Sequence, residues 1–507
     1  MTNGAPAALA ELKVRLQEIY DLNGAVAVLY WDESTHMPEG GAAGRGRQIA
    51  TLQSVIHSKF TAPEIGRLLD QLEPYRAALA DDHDDAALLR VSRRDYDRAT
   101  KVPAAFVSEA ALHSSAGYEA WAKARPTNDA ALILPFLEKT VDLRRRYADF
   151  FPGYQHVADP LIDGNDPGMT VALLRPLFAR LRDELSPMVA TIATCPVVDD
   201  ELLHRHYPEA HQWAFGEKLA AAYGYDFNRG GQAKTRHPFC VNFSIDDVRI
   251  TTRIDEHDLA GGLFSTLHES GHAMYEQGVG HQYSGTPLAS GTSSGVHESQ
   301  SRLWENMVGR SHGLWQHYYP DLQALYPDAL GDIPLDNFYK AINKVQPSLI
   351  RTEADEVTYN LHVIIRFELE LDVLEGKLAV RDIPEEWHAR YQKYLGVHSP
   401  DHRNGFLQDV HWFQGDFGGG FQGYTLGNVM AGQIYAAALA AHPSIPTEIA
   451  AGHFATLKHW LTQEIYTHGR KYEPAELIQR VTGRPLEVEP YLAYLRTKFG
   501  ALYGVTL

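Results

Sequence analysis

Apolar residues recur at intervals of three and four positions along most of this chain, which is the spacing of one face of an α-helix. The first such stretch covers residues 7–29, where Leu9, Leu12 and Leu16 fall on one stripe. The same pattern predicts further amphipathic helices over residues 47–60, 84–100, 104–124, 130–151 and 170–194. Clusters of Pro and Gly separate these stretches. The periodicity therefore predicts a mainly α-helical fold.

One segment, residues 238–253, has a different pattern. Its apolar residues alternate with polar ones on both sides of Asp246 and Asp247, which is typical of a short β-hairpin. An exposed strand edge there could pair with an extended peptide. The alternative is a small structural sheet whose edges are satisfied within the protein. The sequence favours neither interpretation.

The chain shows no clear internal division, since it has no linker, repeat or low-complexity block. Candidate chemistry lies between about residues 230 and 430, so we expect one domain over residues 1–507 with its catalytic core in that region. The helices of about residues 1–100 would form a wall or a lid of a cleft. The expected architecture is a large helical body with the small hairpin beside the site.

The composition is that of an ordinary globular protein, with 44% hydrophobic and 22% charged residues. Its 46 Lys and Arg residues and 64 Asp and Glu residues give a formal charge of −18, which argues against nucleic acid or an anionic membrane surface as the main partner. The apolar runs are too short to span a bilayer. With only two cysteines, Cys195 and Cys240, the sequence argues against a disulfide framework, and residues 1–20 lack the pattern of a secretory signal. We therefore expect a cytoplasmic protein.

Residues 268–272 read His-Glu-Ser-Gly-His, a match to H-E-x-x-H inside a predicted helix over residues 258–278. Positions four apart share a helix face, so His268 and His272 point the same way and could hold a Zn²⁺ ion at about 2.0–2.1 Å. Glu269 projects about a quarter-turn away, where it can act beside the metal without being a ligand. This arrangement suits metal-assisted hydrolysis of a peptide bond. Because the chain has 25 histidines, a third ligand is needed to distinguish a metal site from a chance match.

A catalytic zinc site needs three protein ligands and one open position. One extended form of the motif would place a third histidine at residue 278, but this chain has Gly there. Glu276 lies on the same helix as the two histidines and could reach the metal only awkwardly. Glu298 is a better candidate, because it follows a loop rich in Gly and Ser and lies on a predicted return helix over residues 296–308. His297 is the rival ligand.

Six short motifs follow one another along the chain. They are His-Pro-Phe at 237–239, Asp-Val-Arg-Ile-Thr at 247–251, the H-E-x-x-H match at 268–272, His-Glu-Ser-Gln at 297–300, Ile-Arg-Thr-Glu-Ala-Asp at 350–355 and Gly-Phe-Leu-Gln-Asp-Val-His-Trp at 405–412. In this order they resemble the motifs of the carboxypeptidase Taq-type metallocarboxypeptidases, also called the thermostable carboxypeptidase 1 family. Residues 31–38 also look like that family's N-terminal part, so the resemblance covers essentially the whole chain.

The resemblance implies several properties that the residue pattern alone does not give. The fold would be helical with a long deep groove, similar to neurolysin and the angiotensin-converting enzymes. The activity would be removal of single amino acids from the free C-terminus of peptides, with broad specificity and poor release of proline. The cofactor would be Zn²⁺, with Co²⁺ as a possible substitute, and the protein would be a homodimer. The resemblance also implies that Glu298 is the third ligand.

For catalysis, we expect Glu269 to take the proton of the attacking water and to pass it to the leaving amine. Similar helical zinc peptidases stabilise the oxyanion with a His before the metal helix and with a His and a Tyr far downstream. By that analogy the candidate donors are His237, Tyr424 and His411. Two of these residues also have a purely structural interpretation, in which His237 caps the hairpin and the Tyr424 side chain is packed in the core. Residues 415–423 contain five glycines and are predicted to be a mobile loop that positions the tyrosine.

An exopeptidase must also recognise the terminal carboxylate of its substrate. The planar guanidinium of an arginine suits this role, because it can make two parallel hydrogen bonds to a carboxylate. Arg351 is the candidate in the family motif, and Arg249 on the predicted hairpin is the alternative unless it serves as a partner of Asp247. Gln408 and Asp409 are expected to orient other groups. Two rival functions remain open. One is a zinc oligopeptidase that cuts internally, and the other is a non-catalytic peptide-binding protein, against which an intact Glu269 argues.

Overall fold

The amphipathic segments of the N-terminal part fold as helices. A computed structural model describes residues 5–507 of the chain. Its first helices are α1 (Ala5–Thr35), α2 (Ala42–Phe60), α3 (Pro63–Arg76), α4 (Asp84–Lys101), α5 (Ala104–Thr127), α6 (Ala130–Asp149), α7 (Asp159–Asn165) and α8 (Val171–Ile192). The six helices predicted from the hydrophobic stripe are confirmed. Helices α3 and α7 were not predicted.

The remainder of the chain is also mainly helical, as the sequence predicted. Its helices are α9 (Glu209–Tyr223), α10 (Leu259–Gln277), α11 (Ser294–Arg302), α12 (His312–Leu325), α13 (Pro327–Leu330), α14 (Leu335–Ile342), α15 (Tyr359–Leu374), α16 (Ile383–Leu395), α17 (Gln422–Ala441), α18 (Ile445–Ala450), α19 (Ala455–Glu464), α20 (Pro474–Thr482) and α21 (Glu489–Tyr503). No helix within residues 5–507 combines the length and the apolarity needed to cross a membrane.

Side-chain caps fix where the two helices of the H-E-x-x-H region begin. The Asp258 carboxylate accepts the backbone N–H of Gly261 at 3.0 Å, which starts α10. The Ser293 hydroxyl accepts the backbone N–H of Val296 at 3.1 Å, which starts α11. Each cap satisfies a backbone donor that has no partner within its helix. The predicted metal helix and the predicted return helix are thus present close to their predicted bounds.

A small sheet packs against α10. Its strands are β1 (Gln232–Lys234), β2 (Cys240–Ser244) and β3 (Asp247–Thr252), in the order β1-β3-β2. Strands β2 and β3 form the predicted antiparallel hairpin, with Cys240 opposite Ile250. Strand β1 was not predicted, and it pairs with β3 in parallel, with Gln232 opposite Ile250. Helix α1 lies against β2, where Trp31 meets the Phe243 ring edge-on at 6.3 Å.

The apolar side chains form two clusters. The larger cluster runs through α5 to α21 and includes the buried faces of α10 and α11. The smaller one joins α1, α3 and α4 to Ile245, Val279, Tyr283 and Leu288, which flank α10 in the chain. The N-terminal helices are therefore attached beside α10. A cavity of about 710 Å³ lies between one of them, α4, and the start of α11.

Candidate metal centre and active site

Three donor side chains converge where α10 and α11 cross. The Nε2 atoms of His268 and His272 lie 3.6 and 3.4 Å from the same carboxylate oxygen, Oε2 of Glu298. The donor atoms of these three residues all fall within 4.8 Å of one another, as a shared metal ion requires. Two imidazoles and one carboxylate are a common ligand set of catalytic zinc sites. The residues therefore fit the metal that the motif suggests.

Gly271, one of the two middle residues of the motif, allows α11 to come this close. A Cβ atom at this position would lie 2.6 Å from the carbonyl oxygen of Gln300 and 2.7 Å from the Cα of Ser301. Any larger side chain would push α11 away from α10, and Glu298 would move away from the histidines with it. The third donor thus depends on a glycine in the helix that carries the first two.

Hydrogen bonds on the far side of each imidazole fix its orientation. His268 Nδ1 lies 2.9 Å from Glu305 Oε2. His272 Nδ1 lies 2.5 Å from His297 Nδ1, and His297 Nε2 lies 2.8 Å from Glu276 Oε1. Donation outward from both Nδ1 atoms leaves the Nε2 lone pairs directed at the centre. His297 and Glu276, which were alternatives for the third ligand, thus lie behind His272 in this structure.

The position of Glu305 depends on an irregularity that follows α11. Residues Leu303–Val308 continue that helix as a π-helix, whose wider turn is frequent at functional sites. Arg302 lies at the junction and donates from Nε to Glu298 at 2.7 Å and from Nη1 to Glu305 at 3.1 Å. The Arg302 guanidinium outweighs the effect of burial and holds the pKa of Glu298 well below its usual range. Against the effect of burial, Arg302 and His268 also lower the pKa of Glu305 to about 2, so both carboxylates are ionised.

Glu269 lies outside the three-donor set. It is 6% exposed, and it makes no side-chain hydrogen bond to any residue of the described chain. Burial raises the pKa of its carboxyl to about 7. A carboxylate of this kind next to a metal site can accept and return a proton near neutral pH.

A second cluster of charges surrounds Arg351. Its Nη2 donates to Asp409 Oδ1 at 2.8 Å, and its Nη1 donates to the Tyr359 hydroxyl at 3.0 Å. Arg366, which is fully buried, donates from Nε to the other oxygen of Asp409 at 2.6 Å. Gln408 accepts from the Arg351 backbone N–H at 2.9 Å. Two guanidinium groups thus share one carboxylate, so the cluster keeps one positive charge without a partner among these residues.

His411 and Tyr424 lie next to this cluster. The Arg351 guanidinium stands 5.1 Å from the centre of the Tyr424 ring. The rings of His411 and Tyr424 are 6.5 Å apart, and His411 also contacts Phe421 at 4.8 Å. Burial raises the pKa of Tyr424 and lowers that of His411. The phenol therefore keeps its proton at neutral pH, and the imidazole is neutral.

The other two candidates belong to the sheet. His237 is exposed in the loop between β1 and β2, and it makes no side-chain hydrogen bond within residues 5–507. Arg249 on β3 makes paired bonds of 2.8 Å to Asp247, its neighbour on the same strand. The structure thus gathers Arg351, His411 and Tyr424 together and leaves His237 and Arg249 outside that group.

Residues 415–423, predicted to be mobile, are held by contacts with the body of the protein. The carbonyl of Gly419 accepts from Asn165 Nδ2 at 2.6 Å, and the carbonyl of Phe417 accepts from Arg144 Nε at 2.9 Å. Trp412, just before this segment, donates from Nε1 to Glu370 at 2.7 Å. The segment is therefore anchored on both sides of the turn that leads to Tyr424.

Glu370 gives this region a measurable pH dependence. Burial raises the pKa of its carboxyl from 4.5 to about 8. The folded protein therefore binds one more proton than the unfolded chain between about pH 4.5 and 8, so the Glu370 contribution to stability decreases as the pH rises through that window.

Glu370→Gln tests this assignment, because the amide stays neutral at every pH. In this variant the thermal unfolding midpoint is expected to decrease less between about pH 4.5 and 8 than it does in the unmodified protein. The control is Glu385→Gln at an exposed position of α16. A Glu370→Gln profile parallel to that of the unmodified protein would contradict this assignment.

The chain is similar to known proteins over nearly its whole length. Residues 11–499 match the model of the family described as carboxypeptidase Taq (M32) metallopeptidase. The thermostable carboxypeptidase 1 of Thermus thermophilus is 41% identical over 492 residues, which cover 95% of this chain and 96% of that protein. The carboxypeptidase 1 of Bacillus subtilis is 36% identical over 489 residues, covering 96% of this chain and 97% of that protein.

Solved structures show the same fold. The M32 carboxypeptidase of Deinococcus radiodurans R1 superposes with a TM-score of 0.96 at 46% identity, covering 98% of this chain and all of that one. The Trypanosoma cruzi metallocarboxypeptidase 1 superposes with a TM-score of 0.90 at 30% identity, covering 98% of this chain and 99% of that one. The family match and these relatives, each aligned over nearly its full length, show that this chain is a metallocarboxypeptidase of the carboxypeptidase Taq (M32) family.

Proposed function

We propose that this enzyme is a zinc carboxypeptidase that removes single amino acids from the free C-terminus of peptides, with broad specificity and poor release of proline. The observation that carries the proposal is the pairing of two clusters. His268, His272 and Glu298 present a three-donor set. In the second cluster, Arg351 and Arg366 share the single carboxylate of Asp409. The two clusters are connected through Arg302, which bonds to Glu298 and stacks on Tyr359, the hydrogen-bond partner of Arg351. The three-donor set suits hydrolysis of a peptide bond, and the arginine cluster suits binding of the terminal carboxylate of a peptide.

His268, His272 and Glu298 would hold the ion, with Zn²⁺ as the resident metal and Co²⁺ as a possible substitute. When bound there, the metal would lower the pKa of a water molecule and polarise the scissile carbonyl. Glu269 would accept a proton from the attacking water and return it to the leaving amine. The protonated hydroxyl of Tyr424 would donate to the oxyanion, with His411 as a second candidate donor and His237 as a third.

Arg351 would bind the terminal carboxylate of the substrate through paired hydrogen bonds. Its guanidinium is already oriented by Asp409 and Tyr359, so little side-chain freedom would be lost on binding. The positive charge left over from the pairing with Asp409 favours an anion. Arg249 is the less suitable candidate, because Asp247 alone already neutralises its charge through two hydrogen bonds and leaves no excess positive charge for the substrate.

The experiment that tests the zinc assignment compares metal content with activity. The purified protein is expected to contain about one Zn²⁺ per chain, to lose peptide hydrolysis when a chelator removes the metal, and to regain it with Zn²⁺ or Co²⁺. Full activity in the metal-free protein would contradict the proposal. An inactive protein that binds peptides with or without metal would support the rival function of a peptide-binding protein.

Glu305 provides a separate test of the metal site. Because it orients His268 from outside the three-donor set, Glu305→Ala is expected to weaken Zn²⁺ binding about 10- to 100-fold. The affinity is measured by competition with a chromogenic chelator, without reference to activity. Glu464→Ala at the exposed end of α19 is the control and should bind as the unmodified protein does. An affinity for Glu305→Ala within two-fold of the control would contradict the role of Glu305.

We further propose a cytoplasmic homodimer in which residues 1–507 form one domain, with its catalytic core at about residues 230–430. The two cysteines are unpaired, which suits a reducing compartment, and the net charge of −18 disfavours nucleic acid as a partner. The helices of about residues 1–100 would form one wall of the substrate groove, since His57, Arg94 and Arg98 face the same cavity as Ser293 and His297. Light scattering after size-exclusion chromatography tests the dimer, and the mass of a single chain would contradict it.

A further inference from the structure

The two oxygens of the Glu298 carboxylate have different neighbours. Oε2 is the oxygen that lies 3.6 and 3.4 Å from the Nε2 atoms of His268 and His272, and the Ser301 hydroxyl is 3.1 Å from it. Oε1 accepts a hydrogen bond from Nε of Arg302 at 2.7 Å. No other side chain in the described part of the chain donates to Oε1. The carboxylate therefore offers one oxygen to a metal ion and gives the other to an arginine.

The carbon stem of Glu298 is fixed by close packing. It lies against Gly427 of α17, where an added Cβ atom would come within 2.5 Å of the Glu298 Cβ. A carboxylate whose stem is fixed can still rotate about its last bond, because that torsion has only a broad, two-fold preference. The hydrogen bond from Arg302 therefore decides whether one oxygen of Glu298 or both can turn toward the two histidines.

The Arg302 guanidinium is itself held by several groups. Its Nη1 donates to Glu305 Oε2 at 3.1 Å, and the same oxygen lies 2.9 Å from His268 Nδ1. Its face stacks on the Tyr359 ring at 4.5 Å. A planar guanidinium can bond to two carboxylates at once in a fixed geometry, which the single ammonium of a lysine does less well. Arg302 thus has both the orientation and the charge to hold Glu298 Oε1 in place.

We propose that Arg302 is a positioning residue that keeps Glu298 a one-oxygen ligand. This inference rests on the proposed function, because it takes a metal ion at the donor set as given. Two imidazoles and one oxygen fill three positions of a tetrahedral site and leave the fourth open for water. A second oxygen from Glu298 would compete for that open position. The Arg302 charge also offsets the negative charge of Glu298, so the ion polarises its remaining ligand more strongly.

Arg302→Met tests the inference, because methionine keeps a carbon stem over Tyr359 and removes both the charge and the donors. All three metal donors remain, so the variant is expected to bind the same amount of metal as the unmodified protein. Its kcat is expected to fall about 10- to 100-fold, with KM within about three-fold of the unmodified value. A general loss of structure would change KM and the thermal melt together with kcat.

The coordination of Glu298 is measured without reference to activity. In a crystal structure of the zinc-loaded unmodified protein, Oε2 is expected at about 2.0–2.2 Å from the ion, with Oε1 outside that distance and bonded to Arg302. In Arg302→Met both oxygens are expected to be ligands, so the visible spectrum of the Co²⁺-loaded variant should change. Arg310→Met is the matched control, because Arg310 lies 3.4 Å from Glu305 and makes no bond to Glu298. It should keep the Co²⁺ spectrum of the unmodified protein.

Several results would overturn the inference and leave the proposed function intact. One is a zinc-loaded unmodified protein in which both oxygens of Glu298 are ligands. Others are an Arg302→Met protein in which the Co²⁺ spectrum or kcat is unchanged, a folded Arg302→Met protein that has lost its metal, and an equal spectral change in Arg310→Met, which would assign the effect to charge alone.

The proposed function fails separately, if the unmodified protein binds no metal or releases no C-terminal residue, and the role of Arg302 then fails with it. If Arg302→Met does not fold, as judged by its thermal melt, the two distances from Glu298 to the ion in the unmodified protein decide.

Discussion

Glu269→Gln is expected to keep its metal and to lose about 10²- to 10⁴-fold in kcat. The amide has nearly the same shape as the carboxylate but cannot accept a proton. Glu269 lies outside the three-donor set, so the substitution removes no ligand. It also breaks no side-chain hydrogen bond to the described residues, because Glu269 makes none there. The expected result is therefore a protein with normal metal content, a normal thermal midpoint and very slow turnover.

Metal content and kcat are measured on the same preparation of this variant. Glu64→Gln on α3, at an exposed position, is the control for the effect of replacing a carboxylate by an amide and should keep full activity. A Glu269→Gln protein that retains more than about a tenth of the kcat would show that another group moves the proton. Loss of the metal would instead place Glu269 among the ligands.

Arg351→Ala is expected to reduce kcat/KM about 10²- to 10³-fold for peptides with a free C-terminus. The arginine is 5% exposed, so the carboxylate that it would bind loses most of its water and depends on the guanidinium for compensation. Once Arg351 is absent, Asp409 neutralises Arg366, and the excess positive charge of the cluster is gone. The residual slow hydrolysis of amidated peptides should be unchanged.

Arg249→Ala is the matched control, because Arg249 is the other arginine considered for this role and is paired only with Asp247. Its kcat/KM should stay within about three-fold of the unmodified protein, since a half-exposed ion pair contributes little. If Arg249→Ala loses more activity toward free C-termini than Arg351→Ala does, the two roles must be exchanged. An equal loss toward free and amidated peptides in Arg351→Ala would mean that Arg351 supports the fold and not recognition.

The helices were predictable because each long one buries a continuous stripe of apolar side chains. One of the missed elements lacks such a signal. Strand β1 has three residues, Gln232–Lys234, and none of them is a large apolar residue. It exists only because β3 offers a partner edge. Helix α3, by contrast, does carry an apolar stripe, with Leu68, Leu69 and Leu72 buried, and the spacing of these residues is that of a helix.

The centre of the site was more predictable than its surroundings. The spacing of His268 and His272 on one helix face places two donors from local geometry alone. The roles of Glu305 and His297 depend on how α11 crosses α10 and on the π-helix that follows, which no local pattern encodes. Arg366 had a usable signal, because a single positive charge inside the apolar stretch of α15 needs a buried partner.

Carboxypeptidase activity is tested most directly with one peptide in two forms, with a free and with an amidated C-terminus, followed by mass spectrometry over time. The metal-loaded enzyme is expected to shorten the free form by one residue after another from its C-terminus, to stop or slow at proline, and to cleave the amidated form far more slowly. Chelation should abolish the ladder, and Zn²⁺ should restore it. Internal fragments from both forms, at equal rates, would contradict a carboxypeptidase directed by Arg351 and would support an oligopeptidase that uses the same metal centre.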